Sequence, residues 1–374
     1  MKRIVLHVGT PKAGSTALQE YLRHNEDNLE KEGVGYYKPL YIYDPWGGEA
    51  NAQFIWAEAL KRLGEPKDKN KRDWLRSNDS LNICMLRLNG EKKKNLLEEK
   101  ENFKKYASEY DTIILSEEVL WHYAVFYSDW WLVIRDYIKE CCGNDIVIDV
   151  VTYYRRQDRW ILSKWKEDMT NEIADSWSFE ETLYKYEKIG YLDYYSILQD
   201  MEKVFGREHV VVRSAERRSL REGNIIIDFL ETLGIPTDSL SDASELAEKN
   251  SSISVTAAHA MSFLNRHAVR KLLRSPVWAG YELTNIESRL NHNYKIRNQV
   301  QTKEEREELL GRCAEGNRLI SERYMHGREI FDNKLDEGIV VRPNLLRDAV
   351  YSAIILGKYC PLILREKIKS KKKI

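Results

Sequence analysis

The chain has 374 residues, 43% of them hydrophobic and 32% charged, which is ordinary for a globular protein with a sizeable core. Basic and acidic residues number 59 each, and a formal net charge of zero argues against broad nucleic-acid binding, which usually needs a basic excess. Five cysteines without a C-x-x-C pair predict neither a zinc site nor a disulfide framework, so reduced thiols are expected.

The first predicted elements are a strand, a loop and a helix. Residues 4–8 are the mainly apolar run Ile-Val-Leu-His-Val, which predicts a short buried strand. A glycine-bearing loop follows at residues 9–14, and Ser15 or Thr16 begins a helix with apolar residues at helical spacing. This order is the beginning of a βαβ unit.

Further strands and helices alternate along the chain, and the stretch 254–324 has a mainly helical pattern. Alternation of this kind predicts an α/β fold: a P-loop-type, largely parallel sheet flanked by helices, with a helical C-terminal portion. The remaining strands are predicted at 112–116, 146–154 and 210–213, with helices at 160–169 and 225–233, and the charged run 301–308 is predicted to be one solvated helix face.

The loop after the first strand has the G-x-x-x-x-G spacing of a phosphate-binding loop, in which backbone N–H groups surround phosphate oxygens at a helix N-terminus. The lysine expected directly after the second glycine is absent, and Lys12 lies within the loop instead. A donor without a triphosphate therefore fits better than ATP or GTP. The alternative is a glycine turn that only joins strand to helix. The candidate phosphate ligands are Thr10, Pro11, Lys12, Ala13, Gly14, Ser15 and Thr16.

A second candidate anion site follows the strand at 146–154. Arg155 stands where this strand should end, and Ser163 follows eight residues later within a helix. An arginine fork with a hydroxyl suits a second phosphate beyond the carboxyl ends of parallel strands. The alternative is that the arginines here are surface charges at the start of a helix.

The two motifs together resemble sulfotransferases that use 3′-phosphoadenosine-5′-phosphosulfate (PAPS), and most of all their bacterial branch. From His7 the sequence H-V-G-T-P-K-A-G-S-T-A-L-Q is similar to the pattern H-x-G-x-P-K-T-G-T-T-x-L-Q, with Ala13 and Ser15 at threonine positions. The second motif resembles R-x-P-x-x-R-x-x-S, with Gln157 at the proline position. The similarity extends over about residues 1–332, which implies a sulfotransferase domain there and a tail at 333–374.

The resemblance implies that PAPS is the co-substrate, without a metal, and that a sulfuryl group passes to an acceptor hydroxyl. A saccharide or polysaccharide acceptor is expected from the same resemblance. Aromatic rings that follow Glu118 could stack on sugars or could equally form core. They are Trp121, Tyr123, Phe126, Tyr127, Trp130 and Trp131.

Three residues are candidates for catalysis. Lys12 could stabilise charge on the departing phosphate. Glu118 at the end of the strand 112–116 could accept the acceptor's proton, or could merely be a carboxylate in the first turn of a helix. His7 is the other candidate base, although a buried histidine with a structural hydrogen bond fits its position in the strand as well.

Two other functions remain open from the sequence: a P-loop kinase, and a non-catalytic nucleotide- or glycan-binding protein of the same fold. With neither a recognisable signal peptide nor 18 consecutive apolar residues, we expect a cytoplasmic protein. The apolar stretch 349–364 and the basic run 365–373 could contact the inner face of a membrane peripherally, or could form a docked helix with a frayed basic end.

Overall fold

A computed structural model describes residues 2–41, 50–77, 92–170, 176–235, 240–241, 252–266, 276–290, 298–332 and 334–371. The described residues fall into two compact units. The first lies within residues 1–156, 187–250 and 313–331, and the second lies within residues 157–186, 251–312 and 332–374.

The predicted apolar runs form a parallel β-sheet in the first unit. In the described chain its strand order is β2-β3-β1-β4-β5, and every pairing is parallel. The first strand along the chain is therefore central, and its carboxyl end lies between those of β3 and β4. The strands are β1 Arg3–His7, β2 Val34–Tyr36, β3 Thr112–Ser116, β4 Val147–Tyr154 and β5 Val210–Ser214.

Helices connect the strands and make up the described secondary structure of the second unit, which confirms the predicted α/β fold with a helical C-terminal portion. In chain order they are α1 Ser15–His24, α2 Glu26–Lys31, α3 Gln53–Leu63, α4 Lys69–Ser77, α5 Lys92–Glu109, α6 Val119–Ala124, α7 Trp130–Cys142, α8 Gln157–Thr170, α9 Phe179–Lys188, α10 Tyr194–Phe205, α11 Ile225–Leu233, α12 Val255–Arg266, α13 Pro276–Leu290, α14 Lys303–Tyr324 and α15 Leu345–Lys371.

One face of the sheet is covered by α1 and α11. Leu18 of α1 and Phe229 of α11 pack in one buried cluster with Val5 of β1 and Val151 of β4. Burying apolar area at about 25 cal/mol per Å² is the dominant favourable term in folding. This packing fixes the start of α1, and with it the loop between β1 and α1, against the sheet.

The polar residues inside β4 have specific partners. Asp149 accepts from Arg3 Nε at 2.6 Å and lies 2.8 Å from His209 Nδ1. Thr152 donates from Oγ1 to the carbonyl of Gly9 at 2.9 Å. A buried polar group needs such a partner, since an unsatisfied one costs about 1–3 kcal/mol.

In the second unit, α12 packs against α8, α13 and α15. Arg306 of α14 is 3% exposed and donates from Nε and Nη2 to Asp158 Oδ2 at 3.0 and 2.8 Å. Its Nη1 donates to the carbonyl of Asp336 at 2.9 Å. The prediction that 301–308 is one solvated face is therefore wrong at Arg306, because this side chain turns inward to pair with the buried carboxylate of Asp158.

We predict that Arg306→Ala lowers the free energy of unfolding by about 3 kcal/mol, because it leaves the Asp158 carboxylate buried without its cation. Glu307→Ala, one residue away on the exposed side of α14, should change it by less than about 0.5 kcal/mol. Urea denaturation measures both. Equal effects of the two substitutions would contradict a structural role for the buried pair.

The described cysteines Cys141, Cys142 and Cys313 are thiols, as expected, and Cys84 and the side chain of Cys360 lie outside the described residues. No helix in the described part of the chain is long and apolar enough to cross a membrane.

Candidate functional site

The loop between β1 and α1 contains three residues with positive φ. Gly9, Lys12 and Gly14 have φ values of 98°, 65° and 100°, and Gly14 precedes α1 without a side chain that could cap it. Left-handed residues that alternate with right-handed ones turn successive N–H groups toward one concave side. A Cβ at Gly9 would lie 3.0 Å from Pro11 N and 3.2 Å from Glu118 Cβ, so this turn requires glycine.

Backbone hydrogen bonds tie the loop to the end of β4. Thr10 donates to the carbonyl of Tyr153 from its N–H at 2.8 Å and from Oγ1 at 3.1 Å. The N–H of Tyr153 donates to the carbonyl of Gly9 at 2.6 Å, and Thr152 Oγ1 donates to the same carbonyl. The hydrogen bonding between β1 and β4 thus continues past the end of β1 along the last residues of β4 and fixes the loop.

Arg155 lies directly after β4, as predicted, and contacts the loop. Its Nη1 donates to the carbonyl of Lys12 at 3.2 Å, and its own carbonyl accepts from the hydroxyl of Tyr194 at 3.0 Å. A non-glycine residue with positive φ costs about 1–3 kcal/mol, so it persists only where neighbouring groups hold it. Lys12 is such a residue, and the hydrogen bond from Arg155 to its carbonyl helps to hold it. Ser163 is half-buried on α8 in the second unit.

The two glutamates that follow β3 have different surroundings. Ser15 donates from Oγ to Glu118 Oε2, so this half-buried carboxylate lies against the loop between β1 and α1. Glu117 is 1% exposed, and its Oε1 accepts from the N–H of Val119 at 3.0 Å. Of the two carboxylates, the one on Glu118 is therefore placed to meet a ligand held at the loop.

His7 lies at the carboxyl end of β1 but is only 1% exposed. Its Nδ1 is 2.8 Å from Ser116 Oγ, and Gln19 Nε2 donates to the same oxygen at 3.1 Å. Burial lowers the pKa of His7 from 6.5 to about 4, so the imidazole is neutral near pH 7. These contacts connect His7 to β3 and α1 within the core.

A buried charged network in the first unit was not predicted from the sequence. Tyr153 donates from its hydroxyl to Asp228 Oδ1 at 2.7 Å, and Asp228 is completely buried. Arg213 forms an ion pair with the same carboxylate, and the N–H of Arg221 donates to it at 3.0 Å. The one available signal was an aspartate directly after three isoleucines at the start of α11.

The six aromatic residues that follow Glu118 are all buried, at 8% exposure or less. The ring of Trp121 packs 5.3 Å from Tyr191 and 5.9 Å from Tyr194, centroid to centroid. Of the two alternatives, these residues form core, and they offer no support for stacking on a sugar. Within the described residues, no group of three or more His, Cys, Asp or Glu side chains could hold a metal ion.

Known proteins were compared with this chain by sequence and by structure. No family model matches it. A stretch of 133 residues, 36% of this chain, is 32% identical to an uncharacterized protein of Archaeoglobus fulgidus, and the match spans 33% of that protein. A crystal structure of a sulfotransferase from Alicyclobacillus acidocaldarius matches 72% of this chain and 96% of that one, with a TM-score of 0.38 and 16% identity. A likeness this distant carries no argument about activity, so the function must be inferred from the site residues.

The site joins residues from three strand ends in the first unit. Lys12 follows β1, Glu118 follows β3 and Arg155 follows β4, and the latter two contact the loop that carries Lys12. Two cations and one carboxylate beside the start of a helix can bind an anion, stabilise negative charge that develops on it and accept a proton beside it.

We predict that the low pKa of His7 makes the fold acid-sensitive. Below pH 6.5 the unfolded chain binds a proton at His7, whereas the folded chain binds it only near pH 4, so the free energy of unfolding falls between these two values. His7 is expected to lower it by about 3 kcal/mol over this range.

His7→Asn removes this titration while it keeps a polar partner for Ser116. The difference in free energy of unfolding between the natural protein and the variant should shrink by about 3 kcal/mol from pH 7 to pH 4, measured by urea denaturation at each pH. Parallel pH profiles of the two proteins would contradict a neutral buried His7.

Proposed function

We propose that the protein is a sulfotransferase that moves a sulfuryl group from PAPS to an acceptor hydroxyl. The observation that carries this proposal is the meeting of Ser15 with Glu118 and of Lys12 with Arg155 at one loop, at the carboxyl edge of a parallel sheet. Ligands of open α/β sheets bind at this edge.

The loop suits a donor that carries its sulfate on a 5′-phosphate. Positive φ at Lys12 and Gly14 favours a concave run of N–H groups, and Lys12 and Arg155 supply positive charge. The lysine that grips β- and γ-phosphates in nucleoside triphosphatases has no counterpart after Gly14, where Ser15 stands. Arg155 and Ser163 are assigned to the 3′-phosphate by the sequence motif, and this assignment is part of the proposal.

In the proposed reaction the acceptor oxygen attacks sulfur while the bond from sulfur to the bridging oxygen of the donor breaks. The leaving group, adenosine 3′,5′-bisphosphate, keeps the electron pair of that bond, and Lys12 stabilises the charge on the bridging oxygen. Glu118 takes the proton that the acceptor hydroxyl loses. His7 fits a positioning role better than that of base, because its side chain is only 1% exposed and its Nδ1 contacts Ser116 in the core.

The acceptor is proposed to be a saccharide on the resemblance of the sequence alone. The six aromatic rings that follow Glu118 do not support a saccharide acceptor, because all of them are buried. The proposal of a hydroxyl acceptor depends instead on Glu118, a carboxylate beside the loop with a hydroxyl donor, Ser15, that keeps it oriented.

We predict that adenosine 3′,5′-bisphosphate stabilises the protein more than ATP with Mg²⁺ does. A ligand at about 100 times its dissociation constant adds about 2.7 kcal/mol to the free energy of unfolding, which a thermal-shift titration detects. Equal or greater stabilisation by ATP with Mg²⁺ would favour a kinase.

Arg155→Ala should weaken bisphosphate binding by about 1.5–3 kcal/mol, the worth of a hydrogen bond to a charged group. The matched control is Arg318→Ala, which removes an arginine whose side chain is 52% exposed on α14. If Arg155→Ala weakens adenosine 5′-phosphosulfate, which lacks the 3′-phosphate, as much as PAPS, the 3′-phosphate assignment is wrong.

We predict that Glu118→Gln lowers turnover of PAPS by about 10²–10⁴-fold, because the base is lost. Bisphosphate affinity should be unchanged or higher, since a negative charge beside the loop is removed. Glu117→Gln is the control: it makes the same chemical change one residue away, at a buried side chain. If Glu118→Gln keeps full turnover and His7→Asn loses it, the base is His7.

A further inference from the structure

Exposed large apolar side chains are concentrated in the second unit. Eleven are exposed among the described residues, and seven of these belong to α13, to α15 or to the segment before α15. Contiguous exposed apolar surface in a folded protein marks an interaction site, whereas scattered exposed residues need no explanation. The seven are Val277, Trp278, Tyr281, Ile339, Leu345, Leu346 and Val350.

The helix α15 is docked by one face and apolar on the other. Ser352 is 3% exposed and donates from Oγ to the carbonyl of Ala260 at 3.3 Å, and Ile355 is completely buried. Residues 346, 350, 353 and 357 are exposed, and they are Leu, Val, Ala and Gly, with the exposed Lys358 next to the last of them. A surface helix of a globular protein should carry polar residues on this outer face.

The start of α13 carries further exposed apolar side chains. Lys358 of α15 forms an ion pair with Glu282, so the two helices run together here. Trp278 and Tyr281 on α13 are 39% and 41% exposed. Indole and phenol rings combine an apolar body with a polar edge and favour the level of lipid headgroups.

The sequence of α15 continues into a strongly basic run. Residues 365–373 include six lysines or arginines and one acidic residue, Glu366, and the side chains of this run lie outside the described residues. A partner that binds the basic run must be anionic, and a partner that covers Leu346 and Val350 must be apolar. A bilayer with anionic headgroups presents both properties to a helix that lies in its interface.

We propose that α15 and the start of α13 dock on an anionic membrane surface, with the exposed stripe of α15 in the interfacial plane. This proposal is independent of the sulfotransferase proposal, because it uses none of the residues at the phosphate loop. The docked face of α15 stays in the protein, so attachment does not require the helix to leave the second unit.

The test is cosedimentation of the full chain with vesicles of phosphatidylcholine, alone or mixed with phosphatidylserine. We expect binding to the mixed vesicles that is at least tenfold stronger than to phosphatidylcholine alone, and that weakens as salt rises from about 0.1 M to about 1 M. The double variant Leu346→Glu with Val350→Glu should lose at least about tenfold in affinity, because two apolar contacts are replaced by charges that anionic lipid repels.

The matched control is Leu97→Glu with Leu132→Glu, which places the same charges at exposed leucines of α5 and α7 in the first unit and should bind as the natural protein does. Unchanged thermal unfolding of both double variants checks that they fold. The proposal is overturned if the natural protein does not bind the mixed vesicles, or if the two double variants bind equally. It is also overturned if sedimentation without lipid shows a dimer that only the α15 variant loses, since the face then joins two copies of the chain.

Discussion

The arrangement of the site depends on the hydrogen bonds that continue the β1–β4 pairing into the loop. Thr10 and Tyr153 lie beyond the last regular strand pair, yet the N–H of Thr10 still donates to the carbonyl of Tyr153. Because the loop is held to β4 in this way, the residue two positions after Tyr153 is brought to Lys12. Rigid strand ends are a better support for a functional side chain than a loop held only at its own ends.

The charges around the loop follow from the same constraint. Glu118 follows β3 and accepts a hydrogen bond from Ser15, whereas Arg155 follows β4 and donates to the carbonyl of Lys12. Since β3 and β4 lie on either side of β1, a carboxylate and a cation contact the loop from two neighbouring strand ends. The buried carboxylate of Asp228 holds Tyr153 and Arg213. Removing one member of such a buried pair destabilises the fold strongly. We therefore assign this network a structural role, in which it holds the end of β4 in place.

The sequence predicted the parts of this protein whose signal is local. Four of the five described strands were predicted to within a residue or so at each end, because continuous apolar runs identify buried parallel strands. The strand β2 was missed because its three residues, Val34–Tyr36, include a glycine and are too short for a pattern. The pairing of Arg306 with Asp158 was missed because no spacing rule relates residues 148 positions apart. The pairing of Arg213 with Asp228 was missed because the two residues lie on different elements, β5 and α11, and only the tertiary packing brings them together.

If this loop holds a sulfuryl donor for transfer to a hydroxyl, the transfer can be detected in a single assay. The protein is incubated with isotopically labelled PAPS and a panel of glycans and simpler alcohols, and the products are identified by mass spectrometry. We expect an acceptor that gains the mass of one labelled sulfuryl group, together with free adenosine 3′,5′-bisphosphate, and neither product from Lys12→Ala. Transfer of phosphate from ATP to an acceptor in the same panel, with PAPS left intact, would contradict this expectation.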